Sequence, residues 1–233
     1  MAKKNEKLSH NEVLVNKTEG WISTHRNVIL ISCIAVVAVV LIALIITLVS
    51  SKGSSKVDSA LYTLSTDYNN FIVMDADDEA YQSTLDKVNE EANALIKKPG
   101  IKKYQGAKAQ LILAEIAFTN GDYEKAAELY KEVYEAQKNT YLGQVALISE
   151  AASVEASGDK SGALDLYNKV FDEYGVESIY ASRALFNAAR LTEESDKELA
   201  ISIYEQLVGA FEEGSSEYAK LAKTRISQLK VNN

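Results

Sequence analysis

The sequence predicts an all-α protein in which one membrane-crossing helix is followed by a solenoid of helical hairpins and a carboxyl-terminal capping helix. Three observations predict it. Val28 to Val49 runs for 22 residues without a charged side chain, a motif recurs every 37 residues between residues 106 and 211, and apolar residues fall at three- and four-residue steps on both sides of that repeat.

The apolar run, VILISCIAVVAVVLIALIITLV, would reach about 33 Å as a helix, which matches the roughly 30 Å hydrocarbon core of a bilayer. Lys3, Lys4, Lys7, Lys17 and Arg26 precede it, against Lys52 and Lys56 just after it. That excess of positive charge makes residues 1–27 a cytoplasmic tail and 28–49 a transmembrane helix, with the remainder of the chain on the non-cytoplasmic side. Trp21 suits the headgroup boundary. A cleaved signal peptide has an apolar core of only about 7 to 15 residues. Leu30-Ile31-Ser32-Cys33 has the look of a lipoprotein processing box, but only Val28 to Ile31 precede Cys33 as an apolar core, so Cys33 reads as a small apolar residue within the span. It is the only cysteine, so no internal disulfide can form.

Residues 50–56 begin with Ser50-Ser51-Lys52-Gly53-Ser54, the composition of a short tether. A domain is expected over 57–233. Within 57–100, Leu61, Leu64, Tyr68, Phe71 and Ile72 form one helical stripe, and Ala80, Leu85, Val88, Ala92, Leu95 and Ile96 form another, stopped by Pro99-Gly100. Asp77, Asp78 and Glu79 are expected to cap the second helix at its positive end, with Lys97 and Lys98 at its negative end.

The repeat aligns Gly121-Asp-Tyr-Glu-Lys-Ala-Ala-Glu-Leu-Tyr130 with Gly158-Asp-Lys-Ser-Gly-Ala-Leu-Asp-Leu-Tyr167 and Ser195-Asp-Lys-Glu-Leu-Ala-Ile-Ser-Ile-Tyr204. Asp122, Asp159 and Asp196 coincide, as do Ala126, Ala163 and Ala200, and Tyr130, Tyr167 and Tyr204. At the same period upstream lie Ala114, Ala151 and Ala188. Each copy over 106–211 is therefore a helix, a tight turn and a second helix. Gly121 and Gly158 can take the positive φ that ends a helix, and the following aspartate can accept hydrogen bonds from the free amides of the next one. The alanines let the two axes approach, and the tyrosines are expected to pack between repeats. Tyr218, Leu221, Ala222, Arg225, Ile226 and Leu229 then form a capping helix over 215–230.

This pattern resembles the tetratricopeptide repeat through Ala114, Gly121, Ala126 and Tyr130, then Ala151, Gly158, Ala163 and Tyr167, then Ala188, Ala200 and Tyr204. It departs where the early aromatic of the first helix is replaced by Gln110, Leu147 and Ala184. The closing proline is absent and the period is three residues longer than the usual 34. The whole layout of charged tail, single span, Val57-Asp58-Ser59-Ala60 helix start and small repeat domain resembles the YfgM-like membrane-anchored tetratricopeptide-repeat family. That resemblance implies a bacterial inner-membrane protein with its domain in the periplasm, an ancillary subunit of the Sec translocon. Its implied partners are the translocon, a membrane-anchored chaperone or exported client proteins.

Residues 57–233 hold 18 Lys and Arg against 30 Asp and Glu, a net charge of −12, which disfavours nucleic acid. His10 and His25 precede the span, so the domain lacks a histidine for a catalytic triad or a zinc site. Glu90 with Glu91, Glu193 with Glu194 and Glu212 with Glu213 are adjacent on helices and point apart, as a solvated face does. No enzyme activity, cofactor, metal or small-molecule substrate is expected. The function expected is a protein-interaction module, with a structural scaffold subunit of an envelope machine, such as a periplasmic flagellar motor collar, as the alternative. In stacked hairpins the first helices line the concave side, so Lys108, Glu115, Phe118 and Thr119 of the first copy, Glu155 of the second and Thr192 of the third are the expected partner groove. Phe118, unmatched in later copies, belongs either to that groove or to packing on the preceding helices around Leu95.

On this reading the intact chain stays in membranes through an alkaline wash, and protease added from the non-cytoplasmic side degrades residues 57–233. Protection of that part would overturn the topology.

Overall fold

A computed structural model describes residues 55–211 and 216–231. The expected tail, the span and all but the last two residues of the tether lie outside the described residues. Among those described, no helix is long and apolar enough to cross a membrane. Every regular element among them is helical: α1 (55–71), α2 (Tyr81–Lys97), α3 (Tyr104–Thr119), α4 (Tyr123–Gln137), α5 (Tyr141–Ala156), α6 (Lys160–Tyr174), α7 (Ala181–Thr192), α8 (Lys197–Ala210) and α9 (Glu217–Val231). Val57–Asn233 forms one compact unit. The pairs α3/α4, α5/α6 and α7/α8 are the three copies of the 37-residue repeat, each a helical hairpin.

Each helix from α2 onward packs on its chain neighbours, and the further packings are α3 on α5 and α7 on α9, first helix against first helix. The first helices are therefore the inner layer of the stack. Their sequences show it: α3 buries Ala107, Leu111 and Ala114 on one side and Ala109, Ile112 and Ile116 on the other, as an all-round apolar helix must. The second helices are amphipathic. In α4 a single stripe of Ala126, Tyr130, Val133, Tyr134 and Gln137 is buried, and the rest faces water.

The core falls into three clusters. The first, around Leu64, Val88, Ala92 and Leu95, joins α1 and α2 to one side of α3. The central one runs from α3 to α7, and the last joins α7 and α8 to Ala222 and Leu229 of α9. Ala114 and Ala126, Ala151 and Ala163, and Ala188 and Ala200 occupy matching places in the three hairpins and are all fully buried. Tyr130, Tyr167 and Tyr204 are buried as well, so the tyrosine row is core and not an open stacking ladder.

The hairpin turns follow the expected chemistry with one exception. Gly121 and Gly158 have φ of 83° and 98°, a backbone region that costs a side chain strain and glycine nothing. The third turn has Ser195 in that place, and it is built without any positive φ: α7 stops at Thr192, and a longer link reaches Asp196. Asp159 and Asp196 accept hydrogen bonds from the amides of Gly162 and Leu199, whereas Asp122 makes no such cap. A second periodic glycine pair emerges only from the packing. A Cβ at Gly106 would collide with the Gly100 carbonyl, and one at Gly143 with that of Gln137, so both sites let a first helix start against the preceding chain.

Four expectations change at the edges. Asp77, Asp78 and Glu79 lie in the turn before α2, not in its first turn, and Asp78 accepts from the Ala80 amide at 2.7 Å within that turn. Ile72 lies just past α1 and is exposed, because the chain turns there instead of continuing the stripe. Leu221 points to water beside the buried Ala222. The capping helix spans Glu217–Val231, shifted from the expected 215–230. The polar Gln110, where the repeat pattern has an aromatic, is buried yet satisfied: its amide donates to the Leu129 carbonyl at 3.2 Å and to Glu132 at 2.6 Å.

Because both alanines are fully buried at the crossings, Ala126→Leu or Ala163→Leu should destabilise the domain by about 1–3 kcal/mol through overpacking. Unchanged chemical denaturation midpoints in both variants would show that the hairpin register is wrong.

Candidate partner groove

The inner layer carries a repeated polar arrangement at the turn end of the first helices. The Tyr167 hydroxyl donates to Glu155 at 3.0 Å, and the Arg190 guanidinium of the next first helix pairs with the same carboxylate. One repeat further on, the Tyr204 hydroxyl donates to Glu193 at 2.7 Å, and Arg225 of α9 binds it through two nitrogens. Each buried tyrosine thus finds an acceptor, and each acceptor is tied to the following helix. Burial, then the adjacent carboxylate, pushes the Tyr167 and Tyr204 hydroxyls up from their ordinary pKa. Glu193 is held below the usual carboxylate range, first by the Arg225 hydrogen bond, which with that from Tyr204 outweighs its burial.

At the amino-terminal side, Tyr68 of α1 lies next to Glu115, and burial followed by that carboxylate raises its pKa. Glu115 is exposed. It makes no ion pair among the described residues of the kind that binds Glu155 and Glu193. It lines a cleft of about 370 Å³ with Tyr68, Phe71, Ile72, Met74 and Thr119, formed where the ends of α1 and α3 diverge.

The six expected residues separate into different surroundings. Glu115 and Thr119 face that cleft together. Phe118 is half-buried, its ring edge-on to Tyr123 at 5.3 Å, and it packs on the central core and not around Leu95. Its remaining surface lines a small cleft of about 130 Å³ with Tyr130, Ser149, Ala152 and Arg183. Lys108 is half-buried on α3. Glu155 is taken up by Tyr167 and Arg190. Thr192 does not face a groove: it is 3% exposed, and its hydroxyl donates to the Ala188 carbonyl at 2.8 Å, because α7 ends there and the longer third turn closes over it.

Arg183, Arg190 and Arg225 line or tie the inner layer in ways that the repeat pattern does not point to. A signal was present, since the whole chain has only four arginines and three of them fall on α7 and α9. Arg is the side chain suited to bidentate pairing with carboxylates. On the outer layer, a second network joins α4 to α6: the Tyr134 hydroxyl and Lys138 reach Glu173, and the Lys169 ammonium lies 4.3 Å over the Tyr134 ring. Buried Glu150 of α5 sits behind it, pushed up to about 7 by burial despite nearby Lys169 and Lys131. Among the described residues no group of three or more His, Cys, Asp or Glu is placed to hold a metal ion.

No protein-family model and no curated protein sequence matches the chain.

The Glu193–Arg225 pair couples α7 to α9 at a site where only 10% of the Glu193 side chain is exposed. Arg225→Ala should cost about 1–2 kcal/mol. Since the folded-state pKa of Glu193 is depressed, this contribution is present above the ordinary carboxylate pKa and is lost as pH falls through the lowered value. Urea denaturation of both proteins at neutral and acid pH should therefore give curves that converge only in acid. A constant gap would assign the loss to packing.

Proposed function

We propose that this chain is a non-enzymatic, membrane-anchored protein-interaction module of the tetratricopeptide-repeat type, held by one span with its domain in the bacterial periplasm. The observation that supports it most directly is the inner layer: the first helices of stacked hairpins form it, one cleft opens where α1 and α3 diverge, and a smaller one lies between residues of α3, α4, α5 and α7. The larger cleft joins apolar walls from Phe71, Ile72 and Met74 to the Glu115 carboxylate, which suits a partner segment that combines an apolar side chain with a basic one. Work beside the Sec translocon, with exported clients or a membrane-anchored chaperone as partners, is what the resemblance of this layout to the YfgM-like family implies. Both histidines and the single cysteine fall within the first 33 residues, so residues 57–233 supply neither a histidine-based triad nor a thiolate nucleophile.

A photo-crosslinker at Thr119 of the full chain in native membranes tests this. Crosslinks to translocon, chaperone or client proteins that weaken when Glu115→Gln is added support the reading. A single stoichiometric component of a large envelope machine would favour the scaffold alternative, and no protein adduct at all would sink both.

A further inference from the structure

The two ends of the hairpin stack differ in chemistry. Short links between packed helices make the chain run alternately up and down, so the first helices all start at one end. Hydrogen bonds knit that end together: Gln105 to Asp58 joins the starts of α3 and α1, Gln137 to the Ile101 carbonyl joins the end of α4 to the α2–α3 link, and the Tyr141 and Tyr180 hydroxyls meet at 3.0 Å. The hairpin turns lie at the opposite end, where Asp75, Asp77, Asp78 and Glu79 precede α2 and Asp122, Asp159, Glu194 and Asp196 precede the second helices.

The α2–α3 corner of the starting end is basic in a domain that is otherwise acidic, while Glu135, Asp172, Glu173 and Glu177 lie further along that end. Between Ala92 and Ala114 the chain has five lysines and no acid, and four of these, Lys97, Lys98, Lys102 and Lys103, are exposed around the α2–α3 link. Beside them Tyr104 and Tyr141 are 57% and 58% exposed. Ile72 and Val73 are exposed at the opposite end too, but among carboxylates. Lysines next to exposed tyrosines are the combination that settles on anionic headgroups, with ammonium groups on phosphate and phenol rings at the water boundary. On the membrane-anchored reading the tether favours this end as well: α1 begins at residue 55 at the same end, and only five residues, with a maximum span of about 20 Å, separate it from the apolar run that closes at Val49.

We propose that this end of the stack lies on an anionic lipid surface, with Lys97, Lys98, Lys102 and Lys103 on lipid phosphates and Tyr104 and Tyr141 at the headgroup boundary. The proposal rests on the membrane-anchored reading above and adds an orientation to it. The starting end faces the bilayer, the acidic turn end faces away, and the inner layer stands upright between them, open to partners at the side.

The test uses the full chain with Cys33→Ser and one introduced cysteine carrying a fluorophore, either Asn139→Cys at the starting end or Glu124→Cys at the turn end. These sites are opposite ends of α4, separated by about 22 Å. The chain is placed in lipid discs of phosphatidylcholine, with and without phosphatidylglycerol, that contain a headgroup-level quencher. The expected result is strong quenching at residue 139, dependent on phosphatidylglycerol and reduced when the four lysines become glutamine, with little quenching at residue 124. Equal quenching at both sites, or quenching at 139 indifferent to lipid charge and to the lysines, overturns the proposal. Loss of a protein crosslink in the lysine variant without any lipid effect would make this end a protein interface instead.

Retention in the discs through an alkaline wash reports on the span separately. If the chain is not retained, the anchor reading fails, and sedimentation with phosphatidylglycerol vesicles decides the surface. Binding should then fall roughly fivefold per lysine removed, and the proposal fails if nothing sediments. The four lysines, Glu124 and Asn139 are exposed, so an unchanged melting curve shows that the variants are folded.

Discussion

The close crossing of the two helices in each hairpin is the constraint on which the rest of the structure depends. Ala114, Ala126, Ala151, Ala163, Ala188 and Ala200 are all fully buried, and a methyl group at each is what allows the axes to approach. Once the axes are close, the larger residues four positions on in the second helices have a fixed place to go. Tyr130, Tyr167 and Tyr204 reach across the inner layer, and their hydroxyls emerge beside a carboxylate or a polar group. Bulk at the alanines would displace the rings, and displaced rings would leave their hydroxyls buried without acceptors.

The polar pairs follow from that geometry and extend it by one repeat. Glu155 and Glu193 receive a tyrosine from their own hairpin and an arginine from the next helix, so each carboxylate joins intra-repeat to inter-repeat packing. Stability in such a stack is close to a sum of hairpin and neighbour terms. Glu115 has a tyrosine beside it and no such arginine among the described residues, and it lines the cleft of about 370 Å³ between the ends of α1 and α3.

Much of the fold was legible in the sequence because its main determinants are small and periodic. Alanines and tyrosines at a 37-residue interval report packing directly, and Gly-Asp reports a turn with its cap. What was not legible depends on contacts between distant parts of the chain. Gln110 breaks the apolar pattern, and only the position of the Leu129 carbonyl and Glu132 shows why it is tolerated. Counting from Phe118 and Glu155 puts Thr192 in the groove, and the count fails because the third turn lacks glycine and α7 ends early. The large cleft combines residues about 45 positions apart, Phe71 to Ile116, on helices whose divergence no local pattern encodes.

The division of the core has a mechanical consequence. Both α3 and α7 serve two clusters at once, so the central hairpins are clamped from each side, while α1 with α2, and α9, are held by one cluster each. A pull on the chain from its amino-terminal side enters through α1, the outermost layer. The stack then yields by shedding α1 and α2 from α3, which would bare Ala109, Ile112 and Ile116 while the central cluster holds. Tension entering from the amino-terminal side would then be met first by the α1–α2 layer, before it reached the hairpins joined by the Glu155–Arg190 pair.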